Sequence, residues 1–317
     1  MKSMSVIVPG GLNTDIIGMG VDHLLKAGEL TLGGKLKVGP GGKARNMAQM
    51  AAAYLGKVRV AMIGRTVKDP FGLWRVPYDA LIASGVYTKH IRCLDFESSG
   101  HKFPGIALIP VDKDGHNQIY VLPGVNEDFS PRDIDSAAEL LQPEEGQKVM
   151  VLALEIPLPT VAYAIDLAFQ SHIPVVLDPG GMNEALHDIL NEKIFLLKPN
   201  EHETKMLTGT HVRNFDDAQH AAQELLKTGI QNVMITHGSK GAYFFNKDTA
   251  LHIPVPDIIR NDQDEQDETG CGDQVTAIVA AGLAEGLDVI KAARLAVKAG
   301  TLQFYRSGIQ PVERENL

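Results

Sequence analysis

The sequence has little of what marks an extracellular protein or a protein with a membrane span. Only two of the 317 residues are cysteine, Cys93 and Cys271, and they are too few for a disulfide framework. No apolar run approaches the roughly 18 residues that span a bilayer, and the N-terminus lacks the pattern of a signal peptide. We therefore expect a cytoplasmic protein with no membrane partner.

Basic charge is also scarce, since 30 Lys and Arg residues stand against 39 Asp and Glu residues and the formal net charge is −9. Nucleic-acid binding requires a basic face, so no nucleic-acid partner is expected. Several catalytic motifs are missing too, because the chain has no H-E-x-x-H, no Cys-x-x-Cys pair and no G-x-S-x-G. Zinc chemistry and a serine-hydrolase triad are therefore poorly supported.

What is present is a regular alternation of strand-like and helix-like segments. Five short apolar runs indicate strands, at 58–63, 148–154, 174–177, 194–197 and 232–236. Segments 44–55 and 216–227 carry apolar residues at helical spacing, and a glycine follows each of them. Strands that alternate with helices predict βαβ units and a mostly parallel sheet covered on both faces.

Two stretches, 14–38 and 98–122, interrupt this alternation. The second contains strand-like pieces at 105–111 and 117–122 on either side of an Asp114-Gly115 turn. Neither stretch carries a helix that could cross between parallel strands, so they could form a small separate sheet. We expect one domain over residues 1–317, with this sheet as an accessory element.

The strongest local motif is 267–273, Asp-Glu-Thr-Gly-Cys-Gly-Asp, which precedes an apolar helix-like segment at 275–283. The small residues at 270–272 allow a tight turn into the helix, whose first N–H groups would then face an anion. Asp273 would place a carboxylate in the same site, where it could accept the proton of an attacking hydroxyl. Taken alone, the motif is equally compatible with an ordinary helix start.

A second glycine-rich turn, at 39–46, opens the helix predicted at 44–55. Its sequence, Gly-Pro-Gly-Gly-Lys-Ala-Arg-Asn, does not have the P-loop spacing, and no Ser or Thr follows Lys43. The glycines would let a ligand approach the main chain, and Lys43 and Asn46 are donors suited to sugar hydroxyls. A tight loop with solvated polar residues is the alternative, and the segment alone favours it.

Polar residues also follow several predicted strands, where open α/β sheets bind their ligands. Asn13 and Asp15 follow the first strand in a segment that lacks the G-x-G-x-x-G dinucleotide fingerprint. Glu155 ends another strand, and the segment 198–203 is rich in amide and acid groups, although many such residues only cap helices. The loop 236–241, Thr-His-Gly-Ser-Lys-Gly, could hold phosphate, and a plain glycine turn explains it equally well.

Together and in order, these motifs resemble those of the ribokinase family, also called the PfkB carbohydrate kinases, over essentially the whole chain. Gly41-Gly42-Lys43 with Asn46 is similar to the first family motif, and 267–273 is similar to the second, usually D-T-x-G-A-G-D. The resemblance implies an α/β fold, a ribokinase-like three-layer α/β/α sandwich with a mostly parallel central sheet. It also implies that 14–38 and 98–122 form a small β-sheet lid, which often mediates dimerisation.

The resemblance further implies roles for individual residues. The catalytic base matches Asp273, and the anion hole matches Gly270, Cys271 and Gly272. Sugar contacts match Asn13, Asp15, Gly41, Gly42, Lys43, Asn46 and Glu155. Nucleotide and magnesium placement match Asn200, Glu203, Thr236, Gly238, Lys240 and Gly241. The potassium site of many relatives matches Asp267, Thr269 and Gly308.

The activity implied is ATP- and Mg²⁺-dependent phosphorylation of a small sugar, of the ribose, fructose or keto-deoxy sugar acid type, by a homodimer. In the segment 98–111 only His101 and Lys102 could anchor a phosphate, so an unphosphorylated sugar is expected. A nucleoside kinase of the same fold is one alternative. A sugar-binding regulatory protein without catalysis is another, and the presence of Asp273 counts against it.

Several positions depart from the family pattern. Glu268 and Cys271 replace the usual Thr and Ala of the second motif, and the segment 261–268 is acidic where relatives often carry an apolar strand. The sequence 178–181, Asp-Pro-Gly-Gly, lacks the Asn and Arg of the common D-P-N-x-R pattern. Arg45 is also an unusual neighbour for the substrate glycines.

Overall fold

The computed structural model describes residues 4–143, 145–181, 184–258 and 266–317. Its strands are β1 (Val6–Pro9), β2 (Asn13–Val21), β3 (Lys35–Gly41), β4 (Val60–Lys68), β5 (Tyr87–Asp95), β6 (Gly105–Asp112), β7 (Tyr120–Leu122), β8 (Val149–Ala153), β9 (Val175–Asp178), β10 (Ile194–Leu197), β11 (Asn232–Thr236), β12 (Ala242–Asn246) and β13 (Ala250–Ile253). Its α-helices are α1 (Lys43–Leu55), α2 (Arg75–Ala83), α3 (Pro131–Asp135), α4 (Leu158–Gln170), α5 (Glu201–Thr208), α6 (Phe215–Leu226), α7 (Cys271–Ala284) and α8 (Val289–Phe304).

The larger of two sheets has nine strands in the order β13-β12-β11-β10-β9-β8-β1-β4-β5. The strands from β5 across to β11 run parallel, and β12 and β13 extend one edge as an antiparallel hairpin. The sequence of β8, Val-Met-Val-Leu-Ala, is buried throughout, as expected for a strand covered on both faces. The predicted mostly parallel sheet is confirmed.

Helices cover both faces of this sheet and create two hydrophobic cores. One core lies between the sheet and α1, α7 and α8, and the other lies between the sheet and α4 and α6. Met47 of α1 and Ile165 of α4 represent the two cores, and both are at most 1% exposed. Each fully buried side chain of this size stabilises the fold by roughly 1.5–3 kcal/mol. The three-layer architecture is therefore confirmed.

The smaller sheet has four strands in the order β3-β2-β6-β7 and is built from the two stretches that interrupt the alternation. Asn13, the first residue of β2, pairs with Gly41 on one side and Gly105 on the other. The strand predicted at 117–122 is shorter, because Asn117 forms only an isolated bridge and β7 begins at Tyr120. Since β2 follows β1 after three residues, Asn13 and Asp15 stand where the two sheets meet.

Another predicted strand needs adjustment, and part of one segment lies outside the described residues. The strand predicted at 58–63 begins at Val60, because Gly56 and Val58 adopt positive φ angles of 88° and 63° in the preceding turn. In the acidic run 261–268, residues 261–265 lie outside the described residues. Within the described ranges, no helix has both the length and the apolar character needed to cross a membrane.

Candidate active site

The predicted site residues gather at one edge of the central sheet. Glu155 follows β8, Asp178 ends β9, and Asn200 follows β10 as the N-cap of α5. Because parallel strands end at the same edge, these side chains are brought together although they are far apart in sequence. The N-termini of α1 and α7 open toward the same edge, since Lys43 at the start of α1 contacts both Glu155 and Asp273.

Asp273 lies in the first turn of α7 and its side chain is held by α1. The helix is capped by Gly270 in the left-handed conformation at φ 76°, a position that favours glycine. Asp273 is 5% exposed, and Oδ2 accepts a hydrogen bond of 2.7 Å from Nδ2 of Asn46. Oδ1 lies 3.4 Å from Nζ of Lys43. The carboxylate is therefore buried against α1 rather than exposed to solvent.

The N-terminus of α1 binds a second carboxylate, that of Glu155. Oε2 of Glu155 accepts a hydrogen bond of 2.6 Å from the main-chain N–H of Lys43. Burial raises the pKa of Glu155 to about 7, although Lys43 acts in the opposite direction. The negative charge of Asp273 raises the pKa of Lys43, so this side chain stays protonated at neutral pH. Two acids and one cation thus share the cavity.

Asp15 of β2 adds a third carboxyl group to the site, and Arg45 of α1 lies close enough to attract its charge. Arg45 is fully buried and donates to the carbonyl oxygen of Pro40 at 2.7 Å and to Oδ1 of Asn46. Burial raises the pKa of Asp15 to about 6 despite the attraction of Arg45, and the charge of Asp273 adds to this rise. A Cβ at Gly41 would overlap the Asp15 carboxylate, which explains the glycine.

Asn126 is a site residue that sequence reasoning missed. Its Nδ2 donates to Oδ1 of Asn13 at 2.9 Å, and its Oδ1 accepts from the main-chain N–H of Leu12 at 3.2 Å. A Cβ at Gly105 would overlap the Asn13 and Asn126 side chains. Asn126 therefore fixes Asn13 at the junction of the two sheets, and no motif around Asn126 in the sequence signals this role.

A buried ion pair between Asp178 and Lys198 was also missed. Their side chains are 1% and 3% exposed, and Nζ of Lys198 lies 2.7 Å from Oδ2 of Asp178. Oγ1 of Thr276 donates to the same oxygen at 2.8 Å. Burial alone would raise the pKa of Asp178, but Lys198 and Lys43 outweigh it and lower the pKa to about 2. Lys198 also lies 3.4 Å from the Gly272 carbonyl, so the pair supports the turn into α7.

Gly180 gives the departure from the D-P-N-x-R pattern a physical reason. A Cβ at Gly180 would overlap Cε of Lys43 and lie 2.6 Å from its Cδ and 2.7 Å from its Nζ. Lys43 therefore passes directly over this glycine to reach Asp273. The main-chain N–H of Gly180 in turn donates to Oδ1 of Asp178 at 2.8 Å. The glycine thus links the buried pair to the cavity above it.

The residues predicted to bind the nucleotide lie at the start of α5 and at the end of β11. Asn200 and Glu203 cap α5 reciprocally, with distances of 2.8 Å and 2.9 Å between side chain and main-chain N–H. Asn200 forms a bridge with Thr236, and Nζ of Lys240 donates to the Arg213 carbonyl at 2.6 Å. The structure therefore brings together the ends of β10 and β11, where the predicted nucleotide residues lie.

Glu203 interacts electrostatically with the buried carboxylate of Asp178. Burial raises the pKa of Glu203, and the negative charge of Asp178 adds to the rise. A divalent cation would relieve that repulsion, and magnesium is commonly held by one or two carboxylates with water and phosphate. The acid and amide groups at the start of α5 therefore fit a hydrated magnesium ion that accompanies a nucleotide.

The three residues matched to a potassium site also come together. The Asp267 carboxylate accepts hydrogen bonds from the N–H groups of Thr269 at 2.8 Å and Gly308 at 2.7 Å. However, the carbonyls of Thr269 and Gly308 accept hydrogen bonds from the side-chain amide of Gln303. The residues present do not fit a cation between these two carbonyls.

Cys271 lies in the same turn, and burial raises the pKa of its thiol to about 12, so it is not a nucleophile.

Known proteins are similar in sequence to this protein over almost the whole chain. The sequence model of the pfkB family of carbohydrate kinases matches residues 4–315. The chain is 31% identical over 307 residues to a deoxyribokinase of Salmonella typhi, an alignment that covers 97% of this chain and 94% of that protein. It is 30% identical to a ribokinase of Haemophilus influenzae, with coverage of 100% and 97%.

Solved structures support the same assignment. The Arabidopsis thaliana ribokinase solved with ribose and ATP superimposes with a TM-score of 0.83 and 26% sequence identity, over 99% of this chain and 97% of that one. With the buried carboxylate at the start of α7 in contact with the glycine-rich start of α1, the chain belongs to the pfkB carbohydrate kinase family and is an ATP-dependent carbohydrate kinase.

Proposed function

We propose that this kinase phosphorylates a small unphosphorylated sugar of the ribose or deoxyribose type, with Asp273 as the general base. The observation that carries the proposal is the Asp273 carboxylate, 5% exposed, oriented by Asn46 and Lys43, beside the N-terminus of α7. The similarity to a deoxyribokinase and to ribokinases supports the choice of a pentose. In this proposal the chain is one kinase domain that works in the cytoplasm.

The proposed reaction is an in-line displacement at the γ-phosphorus of ATP. Asp273 accepts the proton of the sugar hydroxyl while the new O–P bond forms and the bond to the β-phosphate oxygen breaks, which releases ADP. The main-chain N–H groups of Gly270 and Gly272 and the Lys43 ammonium stabilise the charge on the phosphoryl oxygens, whereas the N–H of Cys271 donates to the Glu268 carbonyl at 3.2 Å. Magnesium, held at Asn200 and Glu203, would neutralise charge on the nucleotide phosphates.

The polar groups of the cavity favour a neutral sugar. Asn13, Asp15 and Glu155 offer oxygen atoms that accept hydrogen bonds from sugar hydroxyls. Three carboxylates in one cavity would repel the phosphate of a phosphosugar. Lys102, a candidate phosphate anchor, is already paired with Glu127 at 2.9 Å and Asp128 at 2.8 Å. These contacts support the expectation of an unphosphorylated substrate.

A substrate panel tests the proposal. Ribose, 2-deoxyribose, fructose, 2-keto-3-deoxygluconate, ribose 5-phosphate, adenosine and cytidine are each supplied with ATP and magnesium, and sugar-dependent ADP release is measured. The proposal requires the highest kcat/KM for one of the free pentoses. Preference for a nucleoside would favour the nucleoside kinase alternative, and preference for ribose 5-phosphate would refute a neutral substrate. Binding of a sugar without any turnover would favour the regulatory alternative.

We also propose that the small sheet closes over the sugar and pairs with a second copy of the chain. Its large apolar side chains are exposed, with Leu36 at 75%, Val38 at 45% and Leu122 at 49%. Exposed apolar patches of this kind often mark protein interfaces. Sedimentation velocity of the protein and of a Leu36→Lys variant tests this, since a dimer should dissociate in the variant.

A further inference from the structure

The carbonyl groups of Thr269 and Gly308 converge on one side chain of α8, Gln303. Its Nε2 lies 2.6 Å from the Gly308 oxygen and 3.3 Å from the Thr269 oxygen. Gln303 is fully buried. Carbonyl oxygens that converge in this way can replace the hydration shell of a monovalent cation. Here a side-chain amide nitrogen of the protein occupies the position between them.

The two carbonyls also fix which end of the amide faces them. Only the nitrogen of a glutamine amide carries donors, so the opposite orientation would set oxygen against oxygen at both contacts. In the part of the chain that the structure describes, Oε1 of Gln303 has no hydrogen-bond partner. Burying an unpaired amide oxygen is costly, so the two hydrogen bonds from Nε2 are what hold this side chain in place.

Main-chain N–H groups and a lysine balance the negative charge of Asp267 beside this amide. Both oxygens of Asp267 accept main-chain hydrogen bonds, from Thr269 at 2.8 Å and from Gly308 at 2.7 Å. A Cβ at Gly308 would lie 3.3 Å from Nζ of Lys37, which places an ammonium group of the small sheet beside the same turn. The acidic charge of Asp267 therefore has a nearby cation that belongs to the chain.

We infer that Gln303 takes the place of an activating monovalent cation and makes this kinase independent of potassium. The amide joins the turn that contains Thr269 to the turn that contains Gly308. Thr269 directly precedes Gly270, the cap of α7, so the amide holds the start of the helix that carries Asp273. Gln303 is thus a positioning residue, because it acts through the main chain of the helix start.

Two variants of Gln303 separate a cation-replacing role from ordinary packing. Gln303→Ala removes the amide and opens space between the two carbonyls. Gln303→Met removes the donors but keeps the bulk, so no cation can enter. Melting temperature and kcat/KM are measured for the protein and both variants in potassium, sodium and tetramethylammonium chloride at equal ionic strength. The melting measurement needs no sugar, so it tests the role of Gln303 even if the proposed substrate is wrong.

The unaltered protein should show the same melting temperature and the same kcat/KM in all three salts. Gln303→Ala should lose about ten-fold in kcat/KM in tetramethylammonium chloride, as for one or two lost hydrogen bonds. Potassium should then raise both its activity and its melting temperature. Gln303→Met should show a similar loss that no salt reverses.

Three results would overturn the inference. The first is several-fold activation of the unaltered protein by potassium over tetramethylammonium, a test that stands even if both variants fail to fold. The second is full activity of Gln303→Ala in tetramethylammonium chloride. The third is a folded Gln303→Ala protein whose melting temperature and activity do not respond to potassium. As a further control, Gln274→Ala removes another fully buried glutamine, which hydrogen-bonds Val312 instead, and it should not become potassium-responsive.

Discussion

Replacing Gly180 by alanine tests how the cavity depends on the path of Lys43. The new Cβ would overlap Cε of Lys43 and lie 2.7 Å from Nζ, closer than real Cβ atoms approach their neighbours. The flexible lysine can move away at little cost, but it then leaves Asp273. We therefore expect a variant that folds normally and turns over slowly.

The size of the effect follows from the contact that is lost. A hydrogen bond to a charged group contributes about 1.5–3 kcal/mol. The Lys43–Asp273 contact is long at 3.4 Å, and the Lys43 side chain is 34% exposed, so the lower end applies. A loss of about 1.5 kcal/mol corresponds to roughly a ten-fold decrease in kcat/KM. The free energy of unfolding should change by less than about 1 kcal/mol, since Gly180 does not have a positive φ.

The assay is steady-state phosphorylation of the best pentose, together with urea denaturation to confirm folding. Gly39→Ala is the matched control, because a Cβ there meets nothing within 4 Å, and it should keep full activity. The effects of Gly180→Ala and Lys43→Met should not add in the double variant, since both remove one contact. A folded Gly180→Ala protein with kcat/KM within about two-fold of the unaltered enzyme would refute this reasoning.

Three other predictions follow from the same site. Asp273→Asn should lower kcat by about 10²–10⁴-fold while sugar binding, measured by calorimetry, is retained, and an equal loss of binding would contradict its role as base. Lys198→Met leaves the Asp178 carboxylate buried without its cation, so urea denaturation should show a loss of about 3–5 kcal/mol, and an unchanged stability would contradict the pairing. Because the folded-state pKa of Glu155 is raised from 4.5 to about 7, the native protein binds the extra proton and stability contributed by this group falls as pH rises between these values. Glu155→Gln should remove that part of the pH dependence, and identical pH profiles for variant and unaltered protein would contradict the raised pKa.

The sequence was sufficient for the architecture because its strong periodicities are local. Apolar runs of strand length alternate with helical patterns, and the predicted strands at 194–197 and 232–236 have the same bounds in the structure. Motifs placed directly after strands predicted a cavity at one edge of the sheet, since parallel strands share that edge. The family resemblance implied that Asp273, Lys43 and Asn46 belong to one site, and the structure places them in contact.

The supporting contacts were decided only by the tertiary structure. Asp178 ends β9 and Lys198 directly follows the neighbouring strand β10, and nothing in their spacing in the sequence indicates a buried ion pair. Asn126 and Gln303 are buried polar residues whose partners are distant in sequence or in main-chain turns, and no local pattern indicates these contacts. Whether carbonyls at 269 and 308 face a cation or an amide depends on the rotation of α8 against α7. That rotation is set by packing across the core, which a local sequence pattern does not encode.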